Sequence, residues 1–102
     1  MNGHTLTLDI RTPKEYRSGH LPNAILVDTP LPPLDEASFH ALEERLWSVV
    51  GGMSLDTPIQ VYCKKGIRAG YAAVILEDWG FRNVTCLGGV DTNPRLREQL
   101  IR

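Results

Sequence analysis

The 102-residue chain has few cysteines, almost no net charge and no long apolar run. Its two cysteines, Cys63 and Cys86, are too few for a disulfide-stapled secreted scaffold. No apolar run approaches the ~18 residues that indicate a membrane span, so we expect no membrane partner. The formal net charge of −1 gives no general attraction to nucleic acid, which we also exclude as a partner.

The first residues, Met-Asn-Gly-His-Thr, lack the basic-then-apolar order of a signal peptide. We therefore expect a cytoplasmic, reducing location, which would keep Cys63 available as a thiol. The length suits one domain with one modest core, and the chain contains no repeat or linker. A single domain over residues 1–102 is predicted.

Apolar runs alternate with helical patterns along the chain. The segment Thr12-Pro13-Lys14-Glu15 has the sequence of a capping box and predicts a short helix that ends at Gly19. Strands are predicted at residues 5–10, 24–27, 59–62 and 84–87, and further helices at residues 37–50, 68–79 and 94–101. This order predicts an α/β fold with a mostly parallel sheet and helices on both faces.

The most informative stretch is Cys-Lys-Lys-Gly-Ile-Arg-Ala-Gly at residues 63–70, directly after an apolar run. Ligands bind at the carboxyl ends of strands in open α/β sheets. A cysteine at that edge faces the positive end of the next helix, and Lys64, Lys65 and Arg68 add positive charge nearby. These surroundings favour the thiolate, so Cys63 is predicted to be an exposed nucleophile that handles an anionic ligand.

Other chemistry-bearing residues have structural interpretations. Cys63 itself could be a small buried hydrophobe, the usual environment of a free cysteine, but its basic flanks favour the functional interpretation. Cys86 lies in an apolar strand, so core packing is predicted, with a resolving role only if the fold brings it near Cys63. Asp9 and Arg11 predict a buried structural ion pair. Tyr62 should point to the opposite face from Cys63.

The histidines, at positions 4, 20 and 40, share no ligand spacing with the cysteines. A metal site is therefore not expected.

Three segments together resemble the rhodanese (sulfurtransferase) domain family. The resemblance implies a rhodanese-like three-layer sandwich and runs over about residues 5–90 in the family's order and spacing. The segments are LDIRTPKEYRSGHLPNA at residues 8–24, VYCKKGIRA at residues 61–69 and GFRNVTCLGG at residues 80–89.

The resemblance implies a sulfurtransferase that needs no cofactor and no metal. In this family a loop cysteine takes a sulfane sulfur from a donor such as thiosulfate, holds it as a persulfide, and passes it to a thiophilic acceptor such as cyanide or a thiol. Carried over by position, Cys63 is the nucleophile and Arg68 closes a cradle around it. The substrate-binding residues implied in this way are Lys64, Lys65, Gly66, Ile67 and Arg68.

Two positions depart from the family pattern. Asn23 stands where the family usually has glycine, a mild change because asparagine tolerates a left-handed backbone. In the family a bulky aromatic residue often follows the position of Gly89 by a few residues, whereas this chain continues with Val90. One wall of the site therefore differs in shape from the family pattern.

Loop length separates sulfur from phosphate chemistry. Four residues lie between Cys63 and Arg68, whereas cysteine-dependent phosphatases place five there. The shorter ring of amides predicts a sulfur site. A second function stays open from the sequence, namely a sulfur carrier or interaction module that passes persulfide sulfur to a protein partner. A catalytically silent regulatory domain is a third, which the intact Cys63 and Arg68 oppose.

Overall fold

A computed structural model describes residues 4–102, in which four strands alternate with four helices. Met1 to Gly3, on which the expectation about a signal peptide partly rests, lie outside the described residues. Within the described part no helix is both long and apolar enough to cross a membrane. The elements are β1 Leu6–Asp9, α1 Pro13–Ser18, β2 Ile25–Leu26, α2 Glu36–Val50, β3 Ile59–Cys63, α3 Ile67–Asp78, β4 Val84–Gly89 and α4 Pro94–Gln99.

The strands form one sheet in the order β2-β1-β3-β4, and every neighbouring pair is parallel. The prediction of an α/β fold is thereby confirmed, and the described sheet is parallel throughout rather than mostly so. Because parallel strands end at the same edge, the loops that follow β1 and β3 lie side by side there. Residues near position 12 and residues near position 64 are brought together in this way.

Apolar residues cover both faces of the sheet. Leu42 and Leu46 of α2 and Leu76 of α3 belong to the larger core cluster, which also contains Cys63. Tyr62 belongs to a smaller cluster on the other face, with Leu96 of α4. Consecutive strand residues point to opposite faces, so the predicted separation of Tyr62 from Cys63 is confirmed.

Local sequence signals set most of the element ends. The capping box of α1 is present, because the Glu15 N–H donates to Thr12 Oγ1 at 3.2 Å and the Thr12 N–H donates to Glu15 Oε1 at 2.8 Å. Asn23 has a φ of 65°, the left-handed conformation that asparagine tolerates. α3 begins at Ile67, one residue before the predicted start, because Gly66 is its N-cap.

A buried network fixes the chain after β1. Arg11 binds Asp9 through two hydrogen bonds of 2.8 Å, and its Nη2 also donates to the Gly19 carbonyl at 2.6 Å. The Tyr62 hydroxyl donates to Asp9 Oδ2 at 2.5 Å and accepts from the Leu21 N–H at 2.9 Å. Burial and the hydrogen bond to Asp9 raise the pKa of Tyr62, so it stays a neutral donor. The predicted ion pair is confirmed.

A second ion pair joins α1 to the first turn of α3. Arg68 Nη1 lies 2.8 Å from Glu15 Oε1, and Arg68 Nη2 lies 3.1 Å from Glu15 Oε2. Burial alone would raise the pKa of Glu15, but hydrogen bonds from Arg68 and from the Thr12 backbone outweigh it and hold the pKa at about 2. The carboxylate is therefore ionised at any physiological pH.

Tyr62→Phe should lower the free energy of unfolding by about 1–3 kcal/mol, because the buried Leu21 N–H loses its acceptor. Urea denaturation at neutral pH measures this. Tyr71→Phe is the matched control, since the Tyr71 side chain is 39% exposed and that change should be near neutral. Equal stability of the two variants would contradict the role given to the Tyr62 hydroxyl.

Glu15→Gln should destabilise the protein by about 2–3 kcal/mol at pH 7, with the loss shrinking towards zero as the pH falls from 4.5 to 2. The pKa of Glu15 is lower in the folded state than the ordinary 4.5, so its contribution is complete above that pH and disappears as the folded carboxylate gains a proton.

Urea denaturation of both proteins across this pH range gives the difference curve. Glu36→Gln is the control, because the Glu36 side chain is 92% exposed. A Glu15→Gln curve that runs parallel to the wild-type curve down to pH 2 would refute the assignment.

Candidate active site

Cys63 is the last residue of β3, and its side chain is only 1% exposed. The expectation of an exposed sulfur was therefore wrong. Its side chain points into the core cluster beneath α3, since Tyr62 takes the opposite face. Cys63 nevertheless lines a cavity of about 350 Å³ at the carboxyl edge of the sheet. The lining residues are Leu31, Pro32, Cys63, Lys64, Lys65, Ile67 and Arg68.

Two backbone N–H groups donate to the Cys63 sulfur. The Gly66 N–H lies 3.0 Å from Sγ and the Ala69 N–H lies 3.4 Å from it. Both belong to the beginning of α3, where N–H groups have no partner inside the helix and the helix dipole is positive. This arrangement can stabilise negative charge on the sulfur. Ala69 lies beyond the loop that the sequence indicated, and its donor role was missed.

Two glycines let the loop take this shape. Gly66 has a φ of 101°, a left-handed conformation that costs other residues free energy. Gly89, at the end of β4, lies so close to the loop that a Cβ there would overlap the Lys64 carbonyl. The Val90 N–H donates to the Cys63 carbonyl at 2.9 Å, so the end of β4 supports the cysteine from the other side.

Arg68 lines the cavity but does not offer a free donor fork. Its side chain is 2% exposed, and besides Glu15 it donates to the Thr29 carbonyl at 3.4 Å. The role of Arg68 in substrate binding stays a prediction, and the structure shows that its guanidinium donates to Glu15 and Thr29. Its Nη atoms already bind protein acceptors because α1 brings Glu15 across the top of the sheet. The geometry makes Arg68 a residue that holds the first turn of α3 in place.

The two lysines of the loop differ in their surroundings. Lys64 Nζ lies 3.9 Å from Asp91 Oδ2, and both side chains are about half exposed, so the pair is loose. Lys65 is exposed on the same cavity. Within residues 4–102 no carboxylate forms an ion pair with Lys65. Of the cations that line this cavity, Lys65 is thus the one whose charge is least neutralised by a nearby carboxylate.

Cys86 is exposed, and its predicted place in the core was wrong. It lies on β4, which is an edge strand of the described sheet, so no further strand covers it. Cys86 pairs with Val61, whereas Cys63 pairs with Gly89, three residues further along β4. That offset is about 10 Å at ~3.3 Å per residue, beyond the reach of a disulfide. Cys86 is therefore too far from Cys63 to act as its resolving thiol.

Comparison with known sequences agrees with this geometry. The Rhodanese-like domain family matches residues 1–91 of the chain. The thiosulfate sulfurtransferase PspE of Escherichia coli (strain K12) is 32% identical over 83 residues, which cover 81% of this chain and 68% of PspE. The tRNA uridine(34) hydroxylase of Chlamydia muridarum is 33% identical over 84 residues, 82% of this chain but only 24% of that longer protein.

Solved structures share the fold. A rhodanese with anions from E. coli superposes with a TM-score of 0.65 and 26% identity, covering 86% of this chain and 91% of that one. The rhodanese-like domain of the Alr3790 protein from Anabaena sp. gives a TM-score of 0.69 at 20% identity, covering 100% of this chain and 91% of that one, which shows the fold alone. With the family match spanning nearly the whole chain, the protein belongs to the rhodanese-like domain family.

Proposed function

We propose that this protein is a sulfurtransferase that moves a sulfane sulfur from thiosulfate to a thiophilic acceptor through a persulfide on Cys63. The observation that supports this best is the environment of Cys63, which lines the cavity and whose sulfur receives two N–H donors from the start of α3. The relative PspE is a thiosulfate sulfurtransferase, which supports the same donor.

In the loading step the Cys63 thiolate attacks the sulfane sulfur of thiosulfate. The sulfur–sulfur bond of thiosulfate breaks, and sulfite leaves with the bonding electron pair. The positive charges of Lys64 and Lys65 favour binding of the thiosulfate dianion and departure of sulfite. The new persulfide is anionic, and the N–H groups of Gly66 and Ala69 point towards its base. Preorganised donors of this kind stabilise such charge without reorganising.

In the transfer step the acceptor attacks the outer sulfur of the persulfide. Cyanide gives thiocyanate and a thiolate gives a new persulfide, and Cys63 leaves as a thiolate in both cases. The two half-reactions balance in electrons, so the cycle itself calls for no redox cofactor. We extend the proposal to a cytoplasmic location, where reducing conditions would keep the Cys63 thiol available.

The sulfur-carrier function uses the same cysteine. In that case a persulfidated protein would load Cys63 rapidly, and turnover with thiosulfate would be poor. The unpaired charge of Lys65 beside the cavity favours a small anionic donor instead. Sub-millimolar KM for thiosulfate would support the enzyme, and fast exchange only with a protein donor would support the carrier.

Thiosulfate treatment should add the mass of one sulfur atom to the intact protein, and cyanide should remove it. Cys63→Ala should abolish the gain, because the nucleophile is missing. Cys86→Ala is the matched control and should load normally, because Cys86 is exposed and remote from the cavity. Intact-protein mass spectrometry of the wild type, Cys63→Ala and Cys86→Ala measures these mass changes. A mass gain that persists in Cys63→Ala would refute the proposal.

Lys65→Met should raise the KM for thiosulfate about three- to tenfold at low salt, because the dianion loses an attractive charge. Lys64→Met should have a smaller effect, since Asp91 already offsets part of the Lys64 charge. Steady-state kinetics at low and high ionic strength measure both, with the difference from wild type shrinking as salt rises. Lys14→Met, at an exposed position of α1 outside the cavity, is the control. An unchanged KM in Lys65→Met would show that Lys65 does not contribute to thiosulfate binding.

A further inference from the structure

The Cys63 cavity is lined by two chemically different sets of residues. Lys64 and Lys65 bring positive charge, whereas Leu31, Pro32 and Ile67 bring apolar surface. Leu31 is 62% exposed and Ile67 is 50% exposed, so neither is used by the described core clusters. Single exposed apolar residues need no explanation, but here two large ones line the same cavity as Cys63. An apolar ligand group that covers these side chains gains free energy from their burial.

The cavity is also larger than the donor requires. Its volume of about 350 Å³ corresponds to on the order of ten water molecules at ~30 Å³ each. Thiosulfate has only five heavy atoms and is drawn by charge towards the lysines. Space therefore remains next to Leu31 and Ile67 for an organic group of several carbon atoms.

We propose that the sulfur acceptor is a small organic thiol with an apolar substituent, which Leu31, Pro32 and Ile67 contact during transfer. This inference rests on the sulfurtransferase function proposed above and adds the class of acceptor. Donor and acceptor occupy the cavity in turn, so the lysines serve the loading step and the apolar side chains serve the transfer step.

The transfer step balances without any further reactant. The acceptor thiolate attacks the outer sulfur of the Cys63 persulfide, a bond forms between these two sulfurs, and the bond to Cys63 Sγ breaks. Cys63 takes the electron pair and returns to the thiolate, where the N–H groups of Gly66 and Ala69 receive it. Burial of the apolar substituent against Leu31 and Ile67 lowers the energy of the transition state relative to the free thiol.

The test uses the full chain after loading with thiosulfate and removal of excess donor. Transfer rates are compared for benzyl mercaptan and 2-mercaptoethanol, two uncharged thiols of similar acidity that differ in apolar area. Loss of the sulfur mass from the protein with time gives the second-order rate constant for each. We expect the wild-type protein to favour benzyl mercaptan by about tenfold.

Leu31→Ser should reduce this preference about three- to tenfold, whereas Leu31→Met should retain it because the apolar surface is kept. Val74→Ser is the matched control, since Val74 is 57% exposed on α3 but lies outside the cavity. Its ratio should equal that of the wild type.

Several outcomes would overturn the inference. Equal rates for the two thiols in the wild type would do so, as would a Leu31→Ser ratio that matches the wild type. An equal loss of preference in Val74→Ser would also do so, because Val74 lies outside the cavity. The mass spectrum before acceptor addition distinguishes the two proposals. Failure to load sulfur would contradict both the sulfurtransferase function and the apolar acceptor. Normal loading without a preference between the thiols would contradict only the apolar acceptor.

Discussion

The hydrogen bonds from the Gly66 and Ala69 N–H groups to the Cys63 sulfur are the interaction on which the site depends. They require the loop to fold back tightly over the end of β3, and this requires the left-handed conformation of Gly66. They also require the end of β4 to pass close behind the loop, which the missing side chain of Gly89 allows. The end of β3, the loop after it and the start of α3 are therefore held together at the Cys63 sulfur.

Charged residues around the loop hold this geometry in place from outside. Glu15 of α1 binds Arg68 in the first turn of α3, so two elements that follow different strands are joined across the edge of the sheet. Asp9, Arg11 and Tyr62 fix the chain on the opposite side of β3 from Cys63. Removing one partner from such a buried pair is costly, so these pairs hold the loop in its position. In the reaction proposed above, that position keeps the N–H donors aligned with the Cys63 sulfur through both steps.

Charged and apolar side chains both line the cavity. Lys64 and Lys65 supply the positive charge on which the proposed anionic donor depends, and the exposed side chains of Leu31 and Ile67 supply the apolar area proposed to bind the acceptor. A bulky aromatic often follows the glycine pair in this family, but here Val90 packs into the core cluster around Tyr62. Membership of the rhodanese-like family supports the chemistry proposed for Cys63, while the proposed choice of substrates rests on the residues that line this cavity.

Features that depend on neighbours in the sequence were predictable from the sequence alone. The capping box at Thr12, the ion pair of Asp9 with Arg11 and the alternation of Tyr62 with Cys63 all follow from short-range stereochemistry. The parallel sheet was also predictable from the order of strands and helices, because each of these elements has its own local sequence pattern.

Only the tertiary structure decided the features that join distant segments. The partner of Arg68 lies 53 residues away in Glu15, and Leu31, which lines the cavity, belongs to the connection between β2 and α2. The burial of Cys63 and the exposure of Cys86 also depend on which strand is central and which lies at the edge. The sequence by itself determined the cysteine loop and its helix, because those contacts are local. Packing determined the sulfur's surroundings, because burial and long-range pairing are properties of the assembled sheet.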